Sequence, residues 1–127
     1  MAWVHLVLLL ALVQYFAFGL LVANARAKYK VKAPAITGDP VFERYFRVQQ
    51  NTLEVLIIFV PALLVAAQYW DPRGVAALGA VYLAGRLLYL RSYVRDPAAR
   101  SLGFSLSMIP ALVLVAGGLI GALQTLL

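Results

Sequence analysis

The chain has 127 residues, of which 64% are hydrophobic and 13% are charged, and its mean hydropathy is +0.87. This composition excludes a soluble globular domain, because so apolar a chain could not bury its surface, and it indicates an integral membrane protein. The net charge of +6 reports the orientation of membrane spans rather than binding to nucleic acid, because the basic residues flank apolar runs. The absence of cysteine excludes disulfides and a cysteine nucleophile, so any thiol chemistry must use the thiol of a substrate.

Apolar runs and three Asp-Pro pairs organise the chain. The first run, Trp3 to Ala25, carries no formal charge and is too long for the core of a signal peptide, so we interpret it as the first span. Each Asp-Pro pair predicts a helix start, because aspartate caps a helix N-terminus and proline is tolerated at the first helical position. These pairs are Asp39-Pro40, Asp71-Pro72 and Asp96-Pro97. The predicted spans cover residues 2–26, 40–70, 72–94 and 97–126. Because the connections are short, we expect one domain, an all-α four-helix up-down bundle.

The basic residues are distributed unevenly along these spans. Ten of the eleven lysines and arginines lie in or beside the first and third connections, and Arg73 is the exception. The positive-inside rule therefore predicts that these two connections face the cytoplasm and that both termini face outward. The alanine- and arginine-rich composition favours a bacterial inner membrane.

The start of the second span is the most polar stretch of the chain, Phe42 to Glu54. In a helix, Arg47, Asn51 and Glu54 lie on one face at spacings of i, i+4 and i+7, with Gln50 beside them. A charged side chain in the bilayer centre costs about 2.5 to 3.5 kcal/mol on insertion scales, so such groups are expected to face a protein interior or a wet cavity. The alternative is a structural pair of Arg47 and Glu54 at the interface, with the arginine stem extended toward lipid headgroups.

A second polar stripe is predicted on the third helix. Its members recur four, three and four residues apart, as expected for one helix face: Tyr82, Arg86, Tyr89 and Tyr93. An interfacial aromatic belt with a snorkelling arginine would give the same pattern. At the start of the fourth span, Arg100 falls in the first helical turn, where the helix dipole favours anions.

Several arginines of these stretches converge near one membrane level, together with a carboxylate, two amides and the tyrosines. This combination suits a small, mostly anionic, zwitterionic ligand, because guanidinium groups bind carboxylates in bidentate geometry and Glu54 can receive an ammonium group. A peptide of the glutathione type would fit, although periodicity alone does not identify it. No metal-spaced His/Asp/Glu cluster, glycine-rich phosphate loop or Ser-His-Asp set is present. The residues at this level are Arg26, Arg47, Gln49, Asn51, Glu54, Arg86 and Arg100.

Two motifs are similar to those of a known membrane family. The first is Phe42-Glu43-Arg44-x-x-Arg47-x-Gln49-x-Asn51-x-x-Glu54, and the second is Val81-Tyr82-Leu83-x-x-Arg86-x-x-Tyr89-x-x-x-Tyr93. They resemble the MAPEG family, the membrane-associated proteins in eicosanoid and glutathione metabolism. Within it, the branch holding microsomal glutathione transferase 2 and the cysteinyl-leukotriene synthase is most similar. The resemblance covers the whole chain and implies a homotrimer of four-helix subunits, with glutathione bound between neighbouring subunits near the cytoplasmic face.

The resemblance also implies roles for individual residues. One subunit would bind glutathione through Arg47, Asn51, Glu54, Tyr89 and Tyr93. Arg26 and Gln49 would reach the same cleft from the neighbouring subunit, and Arg86 would support it. Arg100 would be the catalytic residue, because it falls where the enzymes of the family keep the arginine that stabilises the glutathione thiolate.

The resemblance implies a glutathione transferase that uses glutathione as co-substrate, without a metal, to conjugate lipophilic electrophiles from the membrane lipid, a detoxification reaction. Glutathione-dependent reduction of lipid hydroperoxides is implied as a further activity. Val55 replaces a tyrosine of the motif, and Ala27 replaces a second arginine of the leukotriene synthase, which argues against leukotriene synthesis. Competing hypotheses are a non-catalytic lipid-binding scaffold of the same family and a small four-span exporter. Retention of Arg100 argues against the scaffold, and a first span without a carboxylate argues against the exporter.

Overall fold

The computed structural model describes residues 1–127 and consists of four long α-helices with no β-strand. The helices are α1 (Ala2–Lys28), α2 (Pro40–Tyr69), α3 (Pro72–Arg95) and α4 (Ser101–Leu126), and a short 3-10 turn, Pro97–Ala99, precedes α4. Each of the four is long and apolar enough to cross a membrane. These features confirm the all-α fold class, a four-helix bundle, and the chain is an integral multi-pass membrane protein.

Aspartate side chains cap the second and third helices, as the Asp-Pro pairs predict. Oδ1 of Asp39 accepts hydrogen bonds from the backbone N–H groups of Val41 at 2.9 Å and Phe42 at 3.0 Å. Oδ1 of Asp71 accepts one from the N–H of Arg73 at 3.2 Å. These bonds satisfy N–H groups that have no partner inside the helix, so they define where α2 and α3 begin.

The third Asp-Pro pair begins the 3-10 turn rather than the fourth α-helix. The side chain of Asp96 accepts from the Ala98 N–H at 3.1 Å, and the carbonyl of Asp96 accepts from the Ala99 N–H at 2.9 Å. The α-helical hydrogen bonds start later, where the Phe104 N–H donates to the carbonyl oxygen of Arg100 at 3.0 Å. The expectation that Arg100 lies inside the first turn of the fourth helix is therefore corrected. Arg100 occupies the N-cap position of α4, because the 3-10 turn closes between it and Asp96.

The centre of the bundle is formed by α2 and α3. Each of them packs against the other three helices, whereas α1 and α4 contact each other little. The main core includes Val7, Phe59, Leu63, Tyr82 and Leu114, and the rings of Phe59 and Tyr82 stack with centroids 3.8 Å apart. The outer faces carry many exposed Leu, Ile, Val and Phe side chains, as expected for helices surrounded by hydrocarbon.

Close packing between α3 and α4 depends on glycine. A Cβ built on Gly85 would lie 2.6 Å from the backbone nitrogen of Ser107, and one built on Gly103 would lie 2.5 Å from the backbone nitrogen of Tyr89. Small residues at such contacts let two membrane helices approach closely. This approach brings Ser107 of α4 beside Arg86 of α3.

Candidate functional site

A fully buried arginine connects three of the helices. The side chain of Arg86, on α3, is 0% exposed. Its Nη1 donates to Oδ1 of Asn51 at 2.8 Å and to Oγ1 of Thr52 at 3.1 Å, and its Nη2 donates to Oγ of Ser107 at 2.8 Å. Arg86 therefore ties α3 to both α2 and α4, and it holds the side chain of Asn51 from inside the bundle.

A polar hollow of about 610 Å³ opens beside the first half of α2. Arg47, Glu54 and Tyr93 line this polar hollow. Arg47 and Glu54 are exposed, and Asn51, between them on the same helix face, is half-buried. Volumes of about 300 to 1,000 Å³ are typical of small-molecule sites. The structure therefore brings a cation, a carboxylate and a phenol from two helices to one hollow that can hold a small peptide.

The polar hollow also contains residues outside the predicted set. Glu43 and Gln50 of α2 lie on its wall, and so do Ile36 and Thr37 of the connection between α1 and α2. Glu43 and Gln50 belong to the polar stretch that the sequence singles out. The two loop residues carry no periodic signal, so nothing in the sequence pattern could have placed them.

Tyr93 of α3 lines the polar hollow, and the buried Tyr89 packs beside it. The rings of Tyr89 and Tyr93 stack with centroids 5.5 Å apart, and the guanidinium carbon of Arg86 lies 4.4 Å from the ring centroid of Tyr89. Arg100 is exposed and does not line the polar hollow.

Arg26 and Gln49 lie on the α1 side of α2, away from the polar hollow. Nη1 of Arg26 donates to the carbonyl oxygen of Ala35 at 2.7 Å, which holds the loop after α1. The side-chain amide of Gln49 packs against Gly19 of α1. Two residues beyond Arg47, Gln49 points about 200° around the helix from it. Within one chain, the structure does not bring Arg26 and Gln49 to the polar hollow.

Three further polar residues have contacts that the sequence pattern did not indicate. Nη1 of Arg44 donates to the carbonyl oxygen of Val94 at 3.0 Å, so Arg44 satisfies a carbonyl in the last turn of α3. Thr52 and Ser107 accept hydrogen bonds from Arg86. These contacts depend on the register of one helix against another, which the periodicity within a single helix does not reveal.

These features define a class of protein: a four-span membrane bundle with a polar, arginine-containing hollow at the end that carries the basic connections. Within this class, the chain matches the MAPEG family over residues 4–120 and belongs to that family.

Several curated relatives are similar over much of the chain. An uncharacterized protein of Synechocystis sp. is 44% identical over 124 residues, which cover 98% of this chain and 90% of the relative. Microsomal glutathione S-transferase 2 of Homo sapiens is 44% identical over 112 residues, covering 87% of this chain and 76% of that protein. Leukotriene C4 synthase of Bos taurus is 39% identical over 83 residues, covering 65% of this chain and 55% of that protein. These similarities confirm the resemblance that the two sequence motifs indicate.

Proposed function

We propose that the chain is a membrane-bound glutathione transferase that conjugates the sulfur of glutathione to lipophilic electrophiles. Membership of the MAPEG family supports this proposal, as does the similarity to a glutathione S-transferase and a leukotriene C4 synthase. The observation that carries the proposal is the convergence of Arg47, Glu54 and Tyr93 on one polar hollow of about 610 Å³.

The polar hollow matches glutathione in the chemistry of its groups. Glutathione carries two carboxylates, one ammonium group, two peptide bonds and a thiol. Arg47 would bind a carboxylate in bidentate geometry, and Glu54 would receive the ammonium group. Asn51, Tyr89 and Tyr93 would hydrogen-bond the peptide groups. By the distribution of basic residues, the polar hollow would open on the cytoplasmic side, where water-soluble glutathione enters, while the electrophile reaches it from the lipid.

We further propose that the protein is a homotrimer in which Arg26 and Gln49 complete the site of a neighbouring subunit. Both side chains lie on the α1 side of α2, and neither lines the polar hollow of its own chain. A guanidinium has five N–H donors, so the contact of Arg26 with the Ala35 carbonyl leaves donors for a ligand. A site shared between two subunits would combine Arg47 and Glu54 of one subunit with Arg26 and Gln49 of the next.

The chemical step requires the thiolate of glutathione. A free cysteine thiol has a pKa of about 8.5, and lowering it by about two units requires about 2.7 kcal/mol of preference for the anion. A guanidinium in a partly desolvated cleft can supply this, and Arg100 at the N-cap of α4 adds the favourable helix dipole. The thiol releases its proton to water, and the thiolate attacks the electrophilic carbon. The leaving group departs with its bonding electrons, or an epoxide oxygen is protonated, so no general base is needed.

Reduction of a lipid hydroperoxide would use the same thiolate. Its sulfur would attack the terminal peroxide oxygen and break the O–O bond, which gives the lipid alcohol and a glutathione sulfenic acid. A second glutathione would attack that sulfur, displace its hydroxyl group as water and form glutathione disulfide. The products are an alcohol and water, so two glutathione molecules supply both electrons.

Arg100→Ala tests the activator of the thiol. Near neutral pH we expect turnover to fall by about 20- to 30-fold, because raising the thiol pKa from about 6.5 to about 8.5 lowers the thiolate fraction from about three quarters to about 3%. The variant should still bind glutathione, and its rate should rise with pH toward about 8.5, whereas the wild-type rate is already near its plateau. The measurements are conjugation of a chlorodinitrobenzene acceptor and the ultraviolet difference spectrum of bound thiolate in detergent micelles.

A matched control is Arg91→Ala, which removes an exposed arginine near the C-terminal end of α3 and should leave turnover unchanged. Arg47→Ala and Glu54→Ala should weaken glutathione binding. Unchanged kinetics in both of these variants and in Arg100→Ala would overturn the proposal. A wild-type protein that binds lipid but turns over no glutathione would instead favour the scaffold hypothesis.

A further inference from the structure

We propose that Arg86 is a positioning residue that sets the orientation of the Asn51 side-chain amide, so that Asn51 presents only hydrogen-bond donors to the polar hollow. Asn51 would then select an acceptor oxygen of the bound ligand, a carbonyl or carboxylate, and disfavour an N–H group at that place. This inference rests on the proposed function, because it assigns one contact of the glutathione site.

The first observation is the direction of the hydrogen bond between the two side chains. Nη1 of Arg86 donates to Oδ1 of Asn51 at 2.8 Å. A guanidinium has donors and no acceptor, so the amide must turn its oxygen toward it. The NH₂ group lies on the other branch of the planar amide and therefore points away from Arg86.

The second observation is that the other two partners of Arg86, Thr52 and Ser107, are also held as hydrogen-bond acceptors. Oγ1 of Thr52 donates its single proton to the carbonyl oxygen of Val48 at 2.7 Å, and Oγ of Ser107 donates to the carbonyl oxygen of Gly103 at 3.0 Å. Both hydroxyl groups therefore accept from Arg86, as Asn51 does. Turning the amide over would place two donors against each other at a 0% exposed guanidinium, which leaves a buried charged donor unsatisfied.

The third observation is the place of Asn51 on α2. It lies on one helix face between Arg47 and Glu54, which line the polar hollow, and it is half-buried just behind that lining without being part of it. Its NH₂ group is thus the part that remains for a ligand. The guanidinium of Arg47, the NH₂ group of Asn51 and the carboxylate of Glu54 would then follow one another along this face. Each would bind a different group of a zwitterionic peptide.

Two substitutions at the same position separate donor loss from loss of packing. Asn51→Asp keeps the oxygen that Arg86 needs and removes both N–H donors, so we expect an unchanged or higher unfolding temperature and glutathione binding weakened about tenfold or more. Asn51→Leu removes the donors without adding charge and should weaken binding to a similar extent, with a lower unfolding temperature. Asn24→Asp, which changes the other asparagine of the chain, at an exposed position on α1, should alter neither.

Asparagine-selective isotope labelling reads the orientation without ligand, because the chain contains only Asn24 and Asn51. We expect the Asn51 NH₂ protons to exchange with water, and its Cγ resonance to shift in Arg86→Met while that of Asn24 does not. Glutathione should shift the Asn51 NH₂ resonances in the wild type. It should bind at least about tenfold more weakly to Arg86→Met, with affinity partly rescued in Arg86→Lys.

Three outcomes would overturn the inference. One is wild-type affinity for glutathione in Asn51→Asp. Another is weakened binding in Asn51→Asp but not in Asn51→Leu, which would mean charge repulsion instead of donor loss. The third is an unliganded protein whose Asn51 NH₂ protons are protected from exchange. If the wild type binds no glutathione, the proposed function fails, while the resonances of the unliganded protein still decide the orientation. The Asn51 variants and the wild-type exchange suffice if Arg86→Met does not fold.

Discussion

The guanidinium of Arg86 is buried among neutral oxygen atoms of Asn51, Thr52 and Ser107. A buried charge is costly unless its donors are satisfied, and Nε is the one nitrogen of this guanidinium without a partner. Ser107→Ala removes the partner of Nη2, and we expect the free energy of unfolding to fall by about 2 kcal/mol, because a charged donor is left buried without an acceptor. Thermal unfolding in detergent micelles measures this. Ser105→Ala, at an exposed position on the same helix, is the matched control and should change stability by less than about 0.5 kcal/mol. Equal effects of the two changes would contradict the role of Ser107.

The residues of the site could be predicted from the sequence more readily than their contacts. The shared face of Arg47 and Glu54 follows from the helical period, and the structure has both side chains in one hollow. The contact between Arg86 and Ser107 could not be predicted, since the two residues lie on different helices and meet through tertiary packing. Which of these side chains bind glutathione stays a prediction until ligand binding is measured.

At the scale of the helices, the contact between α3 and α4 depends on Gly85. Its missing side chain lets the backbone of Ser107 approach, and a Cβ there would lie 2.6 Å from that backbone. Gly85→Ala must push α4 away from α3, so we expect a loss of about 1 to 3 kcal/mol of stability and a weakened bond between Arg86 and Ser107. Gly74→Ala, in the same helix with no neighbour within 4 Å of the added carbon, should stabilise by about 0.5 to 1 kcal/mol. Chemical or thermal unfolding of both variants compares the two effects directly, and equal changes would show that the helices are not in tight contact at Gly85.

The helix starts illustrate what local sequence can and cannot indicate. Asp39 and Asp71 cap α2 and α3 through side-chain bonds to nearby N–H groups, and such short-range chemistry is legible in a sequence. Asp96 makes a similar bond but begins a 3-10 turn. The two outcomes differ only in which carbonyl accepts the next N–H group, and the Asp-Pro pair itself does not decide this. The position of Arg100 at the N-cap therefore required the structure.

On the scale of the whole molecule, the polar side chains divide between two sides of α2. Arg47 and Glu54 line the polar hollow, while Arg26 and Gln49 lie toward α1. A single subunit thus holds two partial sets of groups that face different directions. Heterologous contacts around a rotation axis would join the first set of one subunit to the second set of the next. A four-helix bundle could be predicted from composition and Asp-Pro spacing. The resemblance to the MAPEG family implied this division, but periodicity alone could not place Arg26, which lies on another helix.

Mixing subunits tests whether the two sets serve one site. Arg47→Ala chains lack the first set and Arg26→Ala chains lack the second, so each alone should be nearly inactive. If the site is shared, co-expression should restore about a third of wild-type activity, because one of the three contacts in every mixed trimer pairs an intact Arg47 with an intact Arg26 from the next subunit. Conjugation of the chlorodinitrobenzene acceptor by oligomers purified through tags on both chains measures the recovery. Co-expressing Arg26→Ala with the Arg26→Ala/Arg47→Ala double variant is the control, and it should recover nothing because no chain retains Arg26. Mixed oligomers without recovered activity would mean that Arg26 acts only on its own chain, by holding the loop at Ala35.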